Sequence, residues 1–302
     1  MKQKPIYVEI EMDASIDSVW KYTQNPKLHE QWDLRFSEIN YLPKEAEDAP
    51  QLFTYKTKIV PQIAVEGWGE SKGTHHKKDG TRTSSLHFGT EQKISPIAEG
   101  KGYWQYVPKG DSLTFLTQYD YDVRYGKVGQ FFDLLFRPLM GWATALSFDV
   151  LRRWITTGEP PKLQYRRFFI SCLISLVFFF VWFYQGLVPK AISVHPGEVE
   201  LFSALSGVEG SAAQFTVQMI GVLEIGFSLF WLMPINKRLL YIIQLILLPI
   251  LTVSAIVAST TTLDGPFNVV TFNVTLIILS LIGLINHYNL PTAKSCKRKR
   301  DE

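Results

Sequence analysis

Cysteine is scarce in this chain: Cys172 and Cys296 are its only thiols. Two such residues make no disulfide framework. Metal-ligand spacing is missing as well. His75 and His76 are adjacent, project differently from an i, i+2 or i, i+4 pair, and have no nearby Cys or His to complete a set. They stand beside Lys77-Lys78-Asp79-Gly80, a turn signal, and read as a solvated loop. No Gly-rich phosphate loop follows a strand and no nucleophile elbow occurs, so phosphoryl transfer and serine-hydrolase chemistry have no motif to rest on. The N-terminal MKQKPIYVEIEMDAS holds no continuous apolar run, and no cleavable signal peptide is expected. The net charge is only +3, and Lys and Arg gather beside apolar segments, so nucleic acid is not an expected partner.

Charge is the other scarcity, and it is local. Between residues 168 and 288 only Lys190, Glu198, Glu200, Glu209, Glu224, Lys237, Arg238 and Asp264 are charged. Four apolar blocks fill that stretch, at 168–188, 213–233, 239–259 and 266–288. About 20 helical residues cover the ~30 Å hydrocarbon core, so each block is expected to span a membrane. Twelve cations flank one side: Arg152, Arg153, Lys162, Arg166 and Arg167, then Lys237 and Arg238, then Lys294, Lys297, Arg298, Lys299 and Arg300. The opposite loops offer Lys190 among acidic residues. The positive-inside rule then places both termini in the cytoplasm, with the basic tail as a topology anchor.

Residues 1–160 read as a soluble domain and 161–302 as the membrane domain. Residues 6–11 alternate as a first strand; Ser15 is a candidate N-cap and Asp17 suits a first helical turn. Asn25-Pro26 stops that short helix, a second turn leads to Trp32, and 36–42 is another strand. Phe53, Tyr55, Thr57 and Ile59 share one face, as do Leu113, Phe115, Thr117, Tyr119, Tyr121 and Val123, which is the period of a half-buried antiparallel sheet. Weaker candidates are 66–72, 81–88, 91–95 and 101–107, for six or seven strands in all. Residues 127–157 then form one long helix with Pro138 inside it, expected to kink there. Its Asp133, Arg137, Asp149, Arg152 and Arg153 argue against a fifth span.

The order strand, two short helices, long antiparallel run and C-terminal helix resembles the START-like (SRPBCC) helix-grip superfamily. Ala14, Ser15, Val19, Trp20 and the pair Trp32-Asp33 are similar to its polyketide-cyclase and lipid-transport branch. The resemblance covers about residues 5–157. It implies an α+β fold, an antiparallel sheet wrapped on the long helix, with a cavity between them for hydrophobic ligands. Candidate lining residues are Trp32, Phe53, Tyr55, Trp68, Phe88, Tyr103, Trp104, Phe115 and Tyr119, with Phe131, Leu135 and Trp142 from the helix. Asp33, Glu66, Glu70 and His87 are the other titratable groups weighed for acid–base work, and none has a catalytic assignment.

Residues 168–288 resemble the DoxX-like four-helix membrane family. The matching residues are Gly186, Pro189 and Lys190, then Glu198, Gly221 and Glu224, then Pro266, Asn268 and Asn273. The fold expected is an all-α bundle of four transmembrane helices. Glu224 is the charge inside a span and is expected to face the bundle interior, where Gln218, Gln244 and Asn273 are candidate partners. Lys190 and Glu198 are placed in the outer loop. The family's name is linked to quinone-dependent oxidation of sulfur compounds, but thiol pairs, haem ligands and iron–sulfur spacing are missing. Three readings follow: a protein that binds a lipid or other hydrophobic small molecule at the membrane, with no cofactor; a quinone-handling accessory subunit with a membrane redox partner; or a structural or regulatory membrane protein without a ligand.

Overall fold

Period-two alternation builds the first unit. In the computed structural model, which describes residues 3–46, 49–60, 62–258, 265 and 268–300, it forms one seven-stranded antiparallel sheet. The strands are β1 (Ile6–Met12), β2 (Glu38–Tyr41), β3 (Gln51–Val60), β4 (Ile63–His76), β5 (Arg82–Gly89), β6 (Ile97–Lys109) and β7 (Ser112–Val123), in spatial order β1-β7-β6-β5-β4-β3-β2. Hairpins join β3 through β7, while β1 crosses to pair with β7, Ile6 facing Tyr119 and Met12 facing Leu113. Residues 91–95, expected as a strand, form the loop between β5 and β6, where Thr90 and Ser95 hydroxyls bond backbone groups locally. Turn chemistry prevails over the apolar pattern there.

Two short helices lie between β1 and β2. Ser15 caps α1 (Ile16–Gln24), its Oγ accepting from Ser18 N at 3.2 Å. Asn25 caps α2 (Pro26–Trp32) through Lys27 N and Leu28 N, with Pro26 at the first position, where a missing N–H loses no bond. The long helix α3 (Gly126–Thr157) packs on β1 and β7 and runs through Pro138. Its second half, Thr144 to Leu151, is buried throughout. Its first half inverts the usual polarity. Phe131 and Leu135 are 68% and 78% exposed, whereas Asp133 and Arg137 are 2% and 8% exposed. Arg137 donates to Asp133 at 2.8 Å and to Asp120 at 2.6 Å, and Tyr121 donates to Asp133 at 2.6 Å. This network turns the charged face inward. It also makes α3 a gripped helix, although its length and composition alone would let it cross a bilayer.

The C-terminal segment belongs to this unit, which comprises residues up to Tyr165 together with those from Pro291 onward. Lys297 pairs with Glu9 of β1 through two backbone hydrogen bonds of 2.9 Å. Cys296 is buried and directs its Sγ at Ala145 O, and Thr292 N donates to Asp149 at 2.8 Å. The domain division expected at residue 160 is therefore corrected at both ends, because the tail completes the first unit rather than hanging from the last span.

The regular structure described in the second unit, Arg166–Leu290, is helical. Among the described residues, four helices besides α3 are long and apolar enough to span a membrane. They are α4 (Pro161–Gln185), continued by a π-helical segment Gly186–Ile192, then α6 (Gly210–Leu232), α7 (Arg238–Ala258) and α8 (Val269–Asn286). The short α5 (Pro196–Ser206) lies between the first two. Phe178, Trp182, Trp231, Tyr241, Leu248 and Leu276 form the bundle core. Small residues let backbones meet: a Cβ built on Gly221 would lie 2.6 Å from Gly186 O, and one on Gly283 would lie 2.3 Å from the Tyr241 ring. Ser259, Asp264 and Pro266 lie outside the described residues.

Candidate functional site

A cavity of about 390 Å³ opens between the sheet and α3. Its volume falls in the range of small-molecule sites. The sheet contributes Phe53, Tyr55, Phe88, Tyr103, Trp104 and Tyr119, and α3 contributes Phe136, Leu139, Met140, Trp142 and Ala143. Parity places them: Phe53, Tyr55, Thr57 and Ile59 all reach the cavity from one face of β3. Gly102 of β6 also lines it, and a Cβ there would press within 2.4 Å of Tyr119 Cβ.

Five expected lining residues do not reach the cavity. Trp32 is fully buried in the core, stacked on His29, with its indole N–H donating to Tyr22 O at 2.9 Å. Phe115 is likewise fully buried, stacked on Phe148 with centroids 4.5 Å apart. Trp68 is exposed and meets His87 edge-on. Phe131 and Leu135 point outward because the Asp133–Arg137 pair claims the inward face of α3.

Polar groups at the cavity wall converge where the chain leaves α2. The Asp33 carboxylate accepts from Arg35 Nε at 2.9 Å and Nη2 at 2.6 Å, and lies 3.1 Å from His29 Nε2. Asp33 is buried; His29 and Arg35 line the cavity. Burial alone would raise the Asp33 pKa, but the Arg35 charge and the bonds from Arg35 and His29 hold its carboxyl well below the usual range. Burial pushes the Tyr55 phenol up to about 12. His29 and Arg35 escaped the sequence reading. The signal was there, since His29 sits one helical turn before Asp33 and Arg35 two residues after it.

The other titratable candidates are dispersed. Glu66 pairs with Lys56 at 2.7 Å; His87 bonds Glu99 and lies 3.5 Å from Glu70. His75 and His76 end β4 in exposed positions. Among the described residues no group of three or more His, Cys, Asp or Glu could hold a metal ion.

In the membrane unit the Glu224 carboxylate meets Lys190 Nζ at 3.1 Å, and Lys190 also reaches Glu198 at 3.5 Å. None of the three expected partners bonds Glu224. Gln218 donates to Ala191 O at 3.5 Å and Asn273 donates to Thr252 Oγ1 at 2.9 Å. Gln244 is fully buried, with no hydrogen-bond partner for its amide among the described residues. The helix does not stop at Val188 as expected but continues through Lys190, so the cation stays against α6 instead of entering a loop. Contact between Gly186 and Gly221 brings the two helices close enough for the ion pair.

Residues 179–281 match the model of the DoxX-like family. The Bacillus subtilis (strain 168) membrane protein YndG is 42% identical over 240 residues, which is 79% of this chain and 80% of that protein. Among solved structures, the protein TTHA0849 from Thermus thermophilus aligns at 12% identity and TM-score 0.40, covering 51% of this chain and 99% of its own. A STAR-related lipid transfer protein from Xanthomonas axonopodis aligns at 19% identity and TM-score 0.36, covering 49% of this chain and 82% of its own. The human StAR-related lipid transfer protein 5 aligns at 14% identity and TM-score 0.38, covering 49% of this chain and 74% of its own. On its identity to YndG along most of both chains, the protein belongs to the family of that membrane protein, with a DoxX-like domain in its helical membrane unit.

Proposed function

We propose that this membrane protein binds an apolar small molecule, a lipid or a compound of similar character, in the cavity of its helix-grip unit. The observation that carries the reading is the cavity itself, about 390 Å³ and walled mainly by aromatic and aliphatic side chains. Its surroundings support exchange with a bilayer. Val128, Phe131, Phe132 and Leu135 are exposed on α3, in the turns that precede the lining residues Phe136 and Leu139. Such an apolar patch on a tethered unit favours contact with lipid, and the tether raises the effective concentration at the membrane surface. Both termini are assigned to the cytoplasm. That assignment is supported by the four apolar helices besides α3 among the described residues, by the twelve flanking cations and by the pairing of Lys297 with Glu9 in one unit.

The test is mass spectrometry of organic extracts from gently solubilised full-length protein, beside the Ala143→Phe variant, whose new ring would fill the cavity. One apolar species enriched over bulk lipid in the wild type and depleted in the variant is expected. Extracts indistinguishable from bulk lipid in both proteins would overturn the reading. A second reading, a quinone-handling accessory subunit, draws on the Glu224–Lys190–Glu198 cluster in the membrane unit. It predicts a quinone that is retained by Ala143→Phe but lost in Glu224→Gln.

A further inference from the structure

Hydrogen-bond accounting inside the cavity narrows the class of ligand. Most hydroxyl groups on its wall have already spent their single hydrogen on the protein. Tyr55 donates to Gly89 O, Tyr103 to the Gln118 side chain, Thr57 to Arg35 O and Thr117 to Tyr103 O. Tyr119 bonds Thr144 Oγ1 at 2.9 Å, and Thr144 gives its own hydrogen to Met140 O, so Tyr119 is the donor of that pair. These oxygens hold the wall together and present few hydrogens to a guest.

Arg35 differs. Its guanidinium carries five N–H groups in a fixed fork. Asp33 takes Nε and Nη2, the Tyr119 hydroxyl is a further hydrogen-bond partner of the guanidinium, and the fork lies against the cavity aromatics, with Cζ 5.5 Å from the Phe36 ring centre and 5.4 Å from that of Tyr119. The side chain keeps 13% of its surface accessible, and the residue lines the cavity. A cation with donors to spare at the wall of an apolar chamber calls for an acceptor. The Asp33 carboxylate, with a fully buried side chain, already balances the Arg35 charge. A ligand carboxylate would add a second anion facing one guanidinium in a poorly solvated space, which is unfavourable. A neutral carbonyl oxygen accepts from the guanidinium without that penalty.

We propose that the ligand has an apolar body and a neutral carbonyl-type oxygen head that accepts hydrogen bonds from Arg35. The proposal rests on the cavity being a ligand site, and the experiment separates failure of the two. Full-length protein in detergent is titrated by native mass spectrometry with methyl nonyl ketone, undecane and undecanoate. A hydrogen bond to a charged group corresponds to roughly ten- to a hundredfold in affinity, so the ketone is expected to bind tighter than undecane by about that factor. The Asp33→Asn/Arg35→Met double variant removes the ion pair together and avoids a lone buried charge. It is expected to lose the preference for ketone while still binding undecane. Equal binding of ketone and hydrocarbon by the wild type, or tighter binding of undecanoate than ketone, would overturn the head-group assignment and leave the cavity reading standing. No saturable binding of any of the three, by either protein, would overturn both.

Discussion

Replacing Asp33 by Asn is the most exposing perturbation of the helix-grip unit. The carboxylate has four donors around it: Arg35 N and Nε on Oδ1, and Arg35 Nη2 and His29 Nε2 on Oδ2. An amide keeps one acceptor oxygen and turns its NH₂ toward two of those donors. It also leaves the Arg35 guanidinium uncompensated at a wall of aromatic rings. Breaking a buried pair from one side costs about 3–5 kcal/mol, between two and nearly four orders of magnitude in the opening equilibrium. Hydrogen exchange of full-length protein in detergent reads this locally, through the slowest amides of β7 and α2. Those amides are expected to exchange a hundredfold or more faster in Asp33→Asn. The double variant Asp33→Asn/Arg35→Met is expected to cost less than the sum of the single changes, because the second substitution removes the stranded cation. Exchange in Asp33→Asn within threefold of wild type, with the fold intact, would show that the cluster is not a buried ion pair in solution.

Three further outcomes follow from the same geometry. The Asp33 pKa is depressed in the folded state, so the stability it contributes is fully present above about pH 4, the ordinary carboxylate range, and is lost as pH falls below it. Acid titration of amide protection in the first unit should show that loss in wild type and not in Asp33→Asn. In the membrane unit, Gly221→Ala would set a methyl group 2.6 Å from Gly186 O, costing about 1–3 kcal/mol and lowering the thermal midpoint in detergent. Gly226→Ala, with nothing within 4 Å of the added atom, should leave the midpoint unchanged. The Cys296 thiol, pushed up to about 12 chiefly by burial, should react with maleimide at pH 8 roughly a thousandfold slower than a free cysteine, as followed by intact mass.

Much of the fold was legible because its signals are local and periodic. Alternation in β1 and β7, the Ser15 and Asn25 caps, and four blocks nearly free of charge each follow from short stretches of chain. The candidate site was half legible. β-Strand parity put Phe53 with Tyr55 on one face and Phe115 with Tyr119 on one face, yet parity alone does not tell the core from the chamber beside it. Phe115 shares a face with Tyr119 and fills the core against Phe148. On α3 the rule that apolar residues face inward failed at Phe131 and Leu135, since Asp133 and Arg137 find long-range partners in Asp120 and Tyr121. The Lys190–Glu224 pair eluded the reading for a similar reason. Its two halves are separated by α5, and only the close approach of Gly186 and Gly221 brings them together.

The strap formed by the C-terminal residues has a consequence for how the chain is made. Residues 166–290 must leave the ribosome before the segment from Pro291 onward can reach β1 and α3. At ~5–20 residues per second, those 125 residues take roughly 6 to 25 s, during which the sheet waits with an open edge beside Glu9. Closure of that edge therefore comes after helices α4 to α8 have been synthesised. The segment from Pro291 onward acts as a latch that closes only after the helices before it have been made, and a nascent chain stalled within those helices keeps an unfinished helix-grip unit available to chaperones and proteases.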